Sequence, residues 1–217
     1  MSGSHIIDFF IRLQLTLSPL IKVSPLDVSR VETLCGLDVS YSGEEGVAAA
    51  VLWSRVERRV VESAAFRGAV LTPYVPGLLY VREAPLMLAA IRRLSRVPDL
   101  LLIDGHGLAH PRRAGLASIV GLLADTPSIG VAKSMLYGEA RLEEGVECIV
   151  VGDERVGVVF RDDRGRRFYV SLGHRVDFGS VLRIIGQLGS DLLSPLREAH
   201  RLSKNALRSG LEGRPAP

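Results

Sequence analysis

Three carboxylates occupy positions where an apolar segment would not normally carry a charge. Asp38 lies inside the strand-like run 34–41, Asp104 closes the run Leu-Leu-Leu-Ile at 100–103, and Glu83 follows Leu-Leu-Tyr-Val-Arg. An ionised carboxylate in an apolar setting is costly unless it is paired or bound to a cation. Each acid alone also fits an ordinary capped or salt-bridged carboxylate. The three together predict a metal site.

The elements that must position these acids follow from the periodicity of apolar residues. Alternating or β-branched runs predict strands at 33–41, 46–54, 60–67, 99–103, 128–132, 147–151, 155–160 and 167–171. Helical spacing predicts helices at 6–20, 84–94, 115–124, 176–188 and 195–207. Pro85 is expected in the first turn of the second helix, where a missing N–H is tolerated. The final five residues, Gly-Arg-Pro-Ala-Pro, have a composition typical of a disordered tail.

This order of elements predicts the fold class. Three antiparallel strands followed by strand, helix, strand in parallel is the order of an RNase H-like α/β fold, a central mixed sheet flanked by helices. In that topology the first and fourth strands lie side by side, so Asp38 and Asp104 reach the same cations. Glu83, expected at the mouth of the intervening helix, then completes the oxygen ligand set that magnesium prefers. The expected owner of such a site is a magnesium-dependent nuclease.

Composition favours one domain that binds a phosphate-bearing partner. The 217 residues are 47% hydrophobic and show no compositional break, which predicts a single domain over 1–217. Arginine runs at 112–113, 164–167 and 197–208 suit nucleic acid, although any single run fits a solvated surface equally well. The two cysteines are expected to pack as small apolar groups. Charges at helical intervals near the N-terminus argue against a signal sequence or membrane span, so a cytoplasmic location is expected. A monomer is also expected.

Three sequence blocks carry a family resemblance. They are Gly-Leu-Asp-Val-Ser-Tyr at 36–41, Pro-Tyr-Val-Pro-Gly-Leu-Leu-Tyr-Val-Arg-Glu at 73–83, and Asp-Gly-His-Gly-Leu-Ala-His-Pro-Arg-Arg-Ala-Gly-Leu-Ala-Ser at 104–118. Gly-Val-Ala-Lys at 130–133 and Gly-His-Arg at 173–175 extend the match. In these blocks and their order the chain resembles endonuclease V.

The resemblance implies a DNA repair enzyme. Its expected reaction is hydrolysis of the second phosphodiester bond 3′ to a deaminated adenine (hypoxanthine, deoxyinosine), which leaves a nick. The expected cofactor is Mg²⁺, with Mn²⁺ as a substitute, and the expected partner is deoxyinosine-containing DNA. An inosine-specific endoribonuclease, a junction resolvase and a non-catalytic nucleic-acid-binding module are the alternatives. A resolvase would not need the Pro-Tyr-Val-Pro segment, and a binding module would not need buried aspartates.

The resemblance also implies catalytic roles. Asp38, Glu83 and Asp104 would bind the metal, and Lys133 would stabilise charge near the scissile phosphate. His200 falls at a fourth metal-site or general-base position. Glu198 on the same helix competes for that role, and an ordinary surface histidine fits the spacing as well.

The recognition residues come from the same comparison. Tyr74, held between two prolines, would act as a wedge that fills the gap left by a displaced base, although the tetrapeptide alone fits a rigid turn. His110 would contact a phosphate, and His106 receives no role. The DNA-binding residues expected in all are Tyr74, Pro76, Gly77, Leu79, Gly105, His110 and Leu116.

Overall fold

The computed structural model describes residues 4–70 and 72–209. The α-helices are α1 (Ser4–Leu17), α2 (Leu79–Ile91), α3 (Leu116–Leu123), α4 (Phe178–Leu188) and α5 (Ser194–Arg208). The strands are β1 (Thr33–Ser42), β2 (Glu45–Ser54), β3 (Arg59–Ala69), β4 (Leu100–Asp104), β5 (Ser128–Ala132), β6 (Glu139–Glu143), β7 (Val146–Val151), β8 (Glu154–Arg161) and β9 (Arg167–Leu172). The tail expected to be disordered lies outside the described residues.

The nine strands form one sheet in the order β3-β2-β1-β4-β5-β9-β8-β7-β6. Strands β1, β2 and β3 pair antiparallel, and β1, β4 and β5 pair parallel. The remaining strands are antiparallel. The predicted mixed sheet flanked by helices is therefore confirmed, including the central pairing of the first and fourth strands.

Two elements differ from the sequence prediction. β6 was not expected, because its residues are nearly all exposed and carry no buried apolar stripe. α2 begins at Leu79 rather than at residue 84, so Glu83 lies inside the helix and not at its mouth. Pro85 therefore sits in the second turn. Proline at position 85 has no N–H to donate within the helix. Packing of the first turn of α2 outweighs this lost hydrogen bond, since Tyr80 is buried and its hydroxyl donates to the Phe10 carbonyl at 2.7 Å.

Alternation along the strands divides the core between the two faces of the sheet. Cys35 and Leu37 of β1 pack with α2 and α3 on one face. Leu34 packs on the other face with residues that precede and belong to α4 and α5. Asp38 shares the parity of Leu34 and Gly36, so it points to the α5 face. Within residues 4–70 and 72–209, no helix is long and apolar enough to cross a bilayer.

Helix α5 approaches β1 more closely than a side chain would permit. A Cβ on Gly36 would overlap the main-chain carbonyl of Pro195, the second residue of α5. Because backbone cannot yield as a flexible side chain can, only glycine fits at this crossing. This contact, two residues before Asp38, sets how closely α5 lies over the aspartate.

Gly36→Ala is expected to lower the free energy of unfolding by about 1–3 kcal/mol, because the added methyl must push α5 away from β1. Gly186→Ala is the matched control. Gly186 is exposed inside α4 and a Cβ there meets nothing within 4 Å, so the same change should stabilise by about 0.5–1 kcal/mol. Urea unfolding measures both, and equal effects would contradict the close approach.

Candidate active site

Two aspartates lie on neighbouring parallel strands, Asp38 within β1 and Asp104 at the end of β4. The register pairs Leu37 of β1 with Ile103 of β4, so Asp38 and Asp104 form the next pair along. Asp38 is buried, and Asp104 is half-buried. Burial raises the pKa of Asp104, and the charge of Asp38 raises it further. Two like charges held this close favour the binding of a cation between them.

Helix α5 surrounds Asp38 with donors. The Ser203 hydroxyl donates to Asp38 Oδ2 at 2.6 Å and also lies 2.8 Å from the Ser40 hydroxyl. His200, one turn earlier on the same helix, places Nδ1 3.3 Å from the same oxygen. The spacing of three residues puts both side chains on the face of α5 that covers β1.

An open cavity of about 220 Å³ lies beside this pair. Its lining includes Asp104 and three basic side chains that come from different elements. These are Lys133 after β5, Arg166 before β9, and Arg197 on α5, together with His200. The charges of Lys133 and His200 lower the pKa of Asp104 against the effect of burial. The competing Glu198 is instead paired with Arg201 at 2.5 Å.

Glu83 lies on the opposite face of the sheet from Asp38. Its Oε1 accepts a 2.7 Å hydrogen bond from the Tyr41 hydroxyl, and the Arg82 guanidinium stacks over the Tyr41 ring. Burial raises the pKa of Glu83 to about 8, although the Tyr41 hydrogen bond acts in the opposite direction. The charges of both aspartates add to the increase, so the three acids are electrostatically coupled.

The acids do not form a ready-made metal cage. Across the described residues, no group of three or more His, Cys, Asp or Glu side chains is placed to hold a metal ion. Alternation along β1 explains the spread, because Asp38 faces α5 whereas Tyr41, which holds Glu83, faces α2. The mutual repulsion of Asp38 and Asp104 nevertheless fits a hard cation with oxygen ligands.

A second cavity, of about 190 Å³, is lined by Gly105, the residue that follows Asp104. Six of the seven residues expected to bind DNA line it, namely Tyr74, Gly77, Leu79, Gly105, His110 and Leu116. Pro76 does not line it. His106 does, and its Nδ1 is buried without a hydrogen-bond partner among the described residues.

Pro76 instead shapes the turn that forms one wall. The Leu78 N–H donates to the Val75 carbonyl at 2.9 Å, and Gly77 has a φ of 80°. Proline followed by glycine at positive φ is the pattern of a type II turn. Tyr74 precedes this turn and is 63% exposed, so its ring is free to meet a ligand.

A partly buried network holds that turn against the rest of the cavity wall. The Gly77 carbonyl accepts from Arg112 Nη2 at 2.8 Å, and Arg112 Nε donates to Gln14 Oε1 at 2.6 Å. Gln14 in turn donates to the Ala114 carbonyl at 2.5 Å. Helix α1 thereby joins two loops that lie about the cavity, although Gln14 is remote from both in sequence.

His110 belongs to the same network and is neutral. Its Nδ1 accepts the Arg112 N–H at 3.1 Å, so the proton lies on Nε2, which donates to the Gly77 carbonyl at 3.1 Å. Burial lowers the pKa of His110 to about 4, and the charge of Arg112 contributes. With 2% exposure and both nitrogens engaged, the ring would have to release a partner to contact a phosphate.

Comparison with known proteins identifies the family. A sequence model described as endonuclease V matches residues 16–201. The endonuclease V of Sulfurisphaera tokodaii is 38% identical over 178 residues, which covers 82% of this chain and 86% of the relative. The chain belongs to the endonuclease V family.

Solved structures of the family agree with this fold. Endonuclease V of Streptomyces avermitilis is 34% identical with a TM-score of 0.84, covering 94% of each chain. Ciona intestinalis endonuclease V (D234N), solved with a 23mer DNA containing an inosine followed by a ribo-adenosine, is 25% identical with a TM-score of 0.81. That match covers 95% of this chain and 98% of the Ciona chain. The predicted membership and the RNase H-like fold are thus confirmed.

Several site residues of this endonuclease V family member were not expected from the sequence. Ser203 and Tyr41 hold two of the acids, and Gln14 and Arg112 hold the wall of the second cavity. The spacing of Ser203 three residues after His200 was the one available signal. Gln14 had no local signal, since its partner Ala114 lies 100 positions away.

The neutral His110 predicts a pH dependence of stability. Its folded pKa lies below the ordinary value of 6.5, so the unfolded chain takes up a proton that the folded chain excludes. Stability contributed by His110 is therefore lost as the pH falls from 6.5 to about 4. In His110→Gln the free energy of unfolding should fall less steeply over this window. The exposed His5 provides the control, because His5→Gln should retain the wild-type slope in urea titrations at each pH.

Proposed function

We propose that the protein is a magnesium-dependent endonuclease that acts on deoxyinosine-containing DNA. It would hydrolyse the second phosphodiester bond 3′ to the hypoxanthine and leave a nick. The observation that supports this best is the adjacency of the two cavities, since Asp104 lines one and Gly105 lines the other. A base displaced into the second cavity would leave its own strand beside the carboxylates. The inosine-containing DNA bound by the Ciona relative supports the same substrate.

The metal would be held by Asp38 and Asp104, with Glu83 as the third ligand. When bound, Mg²⁺ supplies a deprotonated water and neutralises charge on the phosphate oxygens. Mn²⁺ would substitute because it accepts the same oxygen ligands. Ser203 fixes one oxygen of Asp38 by a 2.6 Å hydrogen bond, so the other oxygen is oriented for a cation.

Lys133 and His200 would act on the reacting groups. Both line the cavity beside Asp104, and they come from different elements. Lys133, at the end of β5, would stabilise the charge that develops on the phosphate. His200, held by Asp38 through Nδ1, would orient the attacking water and accept its proton. Glu198 is directed to Arg201 and takes no part in this scheme.

Recognition would rest on main-chain groups. The flipped base would lie among Gly77, Leu79, Gly105 and Leu116, with Tyr74 as the wedge at the opening. The unpaired Nδ1 of His106 favours a polar occupant, because a buried nitrogen without a partner is costly. The turn at Pro76 and Gly77 would keep the wall rigid. The single domain, the monomeric state and the cytoplasmic location stay predictions.

The decisive experiment is a nicking assay on inosine-containing and matched adenine duplexes, in Mg²⁺ and in EDTA. Asp104→Asn should reduce nicking by more than the roughly 10- to 100-fold that loss of an outer partner of a metal ligand costs. Asp153→Asn, in the exposed turn between β7 and β8, is the control and should nick normally. Calorimetric Mg²⁺ binding should weaken in the first variant alone. Substantial nicking by Asp104→Asn would refute the metal site, and inosine-containing RNA in the same assay tests the ribonuclease alternative.

Tyr74→Ala should weaken binding to inosine-containing duplex by about 1–3 kcal/mol, the value expected for one lost base–aromatic stack. Chemistry at saturating enzyme should survive, because the ring lies away from the carboxylates. Tyr74→Phe is the matched control and should bind normally, since the wedge needs the aromatic face and not the hydroxyl. Affinity is measured by fluorescence anisotropy and selectivity by nicking. If both are unchanged in Tyr74→Ala, the Pro-Tyr-Val-Pro segment is only a rigid turn and Tyr74 is not a wedge.

A further inference from the structure

A third cavity, of about 480 Å³, adjoins the cavity beside Asp104. It is lined by Asp162, Asp163, Arg164, Arg166, Ser190 and Arg197. Arg166 and Arg197 also line the cavity that contains Asp104, Lys133 and His200. The two spaces therefore share a wall made of two guanidinium groups. Neither arginine has a part in the function proposed above.

Arg166 is held in position by a buried carboxylate. Its Nε and Nη2 donate to Asp162 Oδ2 at 2.8 and 2.6 Å, and its guanidinium lies 5.9 Å from the centre of the Phe168 ring. The Asp162 side chain is only 2% exposed, whereas the Arg166 side chain is 52% exposed. The bonds to Asp162 leave Nη1 of Arg166 for another acceptor.

The loop that carries Asp162 is itself ordered by this carboxylate. Asp162 Oδ1 accepts the main-chain N–H groups of Arg164 and Arg166 at 3.0 and 2.9 Å. These hydrogen bonds, led by those from Arg166, keep the pKa of Asp162 below its ordinary value. The loop thus presents Arg166 in a fixed direction, which lowers the entropy cost of gripping a ligand.

Arg197 approaches the same carboxylate from α5. Its Nη2 lies 3.7 Å from Asp162 Oδ2, and its side chain is 51% exposed. Arg197 precedes His200 by one turn of the helix, so it borders both the reacting groups and the third cavity. One buried aspartate thereby aligns two half-exposed arginines whose remaining donors suit the oxygens of a phosphate.

We propose that Arg166 and Arg197 form a binding subsite for a backbone phosphate of the cleaved strand. The position of this subsite along the DNA strand, relative to the cut, rests on the proposed function. The cavity beside Asp104 meets the second cavity, proposed to hold the base (the base cavity), at Asp104 and Gly105, and it shares Arg166 and Arg197 with the third cavity. The proposed cut lies 3′ to the base. The bound phosphate is therefore one that follows the scissile phosphate on its 3′ side. Asp162 is the positioning residue that aligns the pair.

The first test measures binding without cleavage, in EDTA. Affinity for an inosine-containing duplex is titrated against salt for wild type and for the Arg166→Ala/Arg197→Ala variant. Loss of one phosphate contact should reduce the slope of log affinity against log salt by about 0.7–0.9. At low salt the affinity should fall about three- to tenfold, because each guanidinium is half-exposed and screened. Arg197→Gln alone, which removes only a 3.7 Å contact with Asp162, should show part of the loss even if the double variant fails to fold.

Arg92→Ala is the matched control. Arg92 is exposed at the C-terminal end of α2, about 20 Å along the helix from Leu79, so its removal changes the charge by the same amount as Arg197→Gln but away from the cavities. Its salt slope should equal that of wild type. If the subsite variants match Arg92→Ala in both slope and affinity, the proposal is wrong.

The second test locates the phosphate. Neutral methylphosphonates are placed one at a time at the phosphates 3′ of the cut, and single-turnover nicking is measured in Mg²⁺. One position should slow wild type, and the Arg166→Ala/Arg197→Ala or Arg197→Gln variant should lose sensitivity at that position alone. Equal sensitivity in wild type and variants at every position would overturn the assignment. Failure of wild type to nick unmodified inosine duplex would instead refute the proposed function, while the salt titration still judges the subsite.

Discussion

The parallel pairing of β1 and β4 places two carboxylates side by side, and the neighbouring structure is arranged around that pair. Adjacent strands lie about 4.8 Å apart, so Asp38 and Asp104 repel one another where β4 ends beside β1. The surroundings reduce this repulsion with donors and positive charge. Ser203 donates to Asp38, and Lys133 and His200 lower the pKa of Asp104. The repulsion that remains between the two aspartates favours the binding of a cation.

Close approach of α5 is a consequence of the same requirement. Ser203 and His200 reach Asp38 only because α5 crosses β1 at Gly36, where a side chain would not fit. The segment of β1 that carries Asp38 therefore also carries Gly36, whose lack of a side chain lets the partners of Asp38 approach. Stability and chemistry are linked at this crossing, since a group added to Gly36 displaces the helix that holds both donors.

The wall of the second cavity is rigid for a different reason. Several of its main-chain groups belong to loops, yet buried or half-buried side chains hold them: neutral His110 and Arg112 both bond to the Gly77 carbonyl, and Gln14 holds Arg112. A proton on Nδ1 of His110 would break this arrangement, because that nitrogen accepts the Arg112 N–H. Asp104 and Gly105 join the cavity beside the carboxylates to the second cavity, which suits the proposed binding of a single strand of nucleic acid.

Local sequence determined much of this protein. Alternation and strand order were enough to place Asp38 and Asp104 together, because the side-chain period of a strand and the order of elements are local properties. The family blocks also predicted six residues that line the base cavity. Only the tertiary structure placed Glu83 inside α2 and across the sheet, held by Tyr41, since packing of Tyr80 extended the helix beyond its proline signal. The roles of Gln14, Ser203 and Asp162 likewise depend on tertiary contacts, because each binds groups that only folding brings close. The role of a buried polar side chain is visible only when its partners are known.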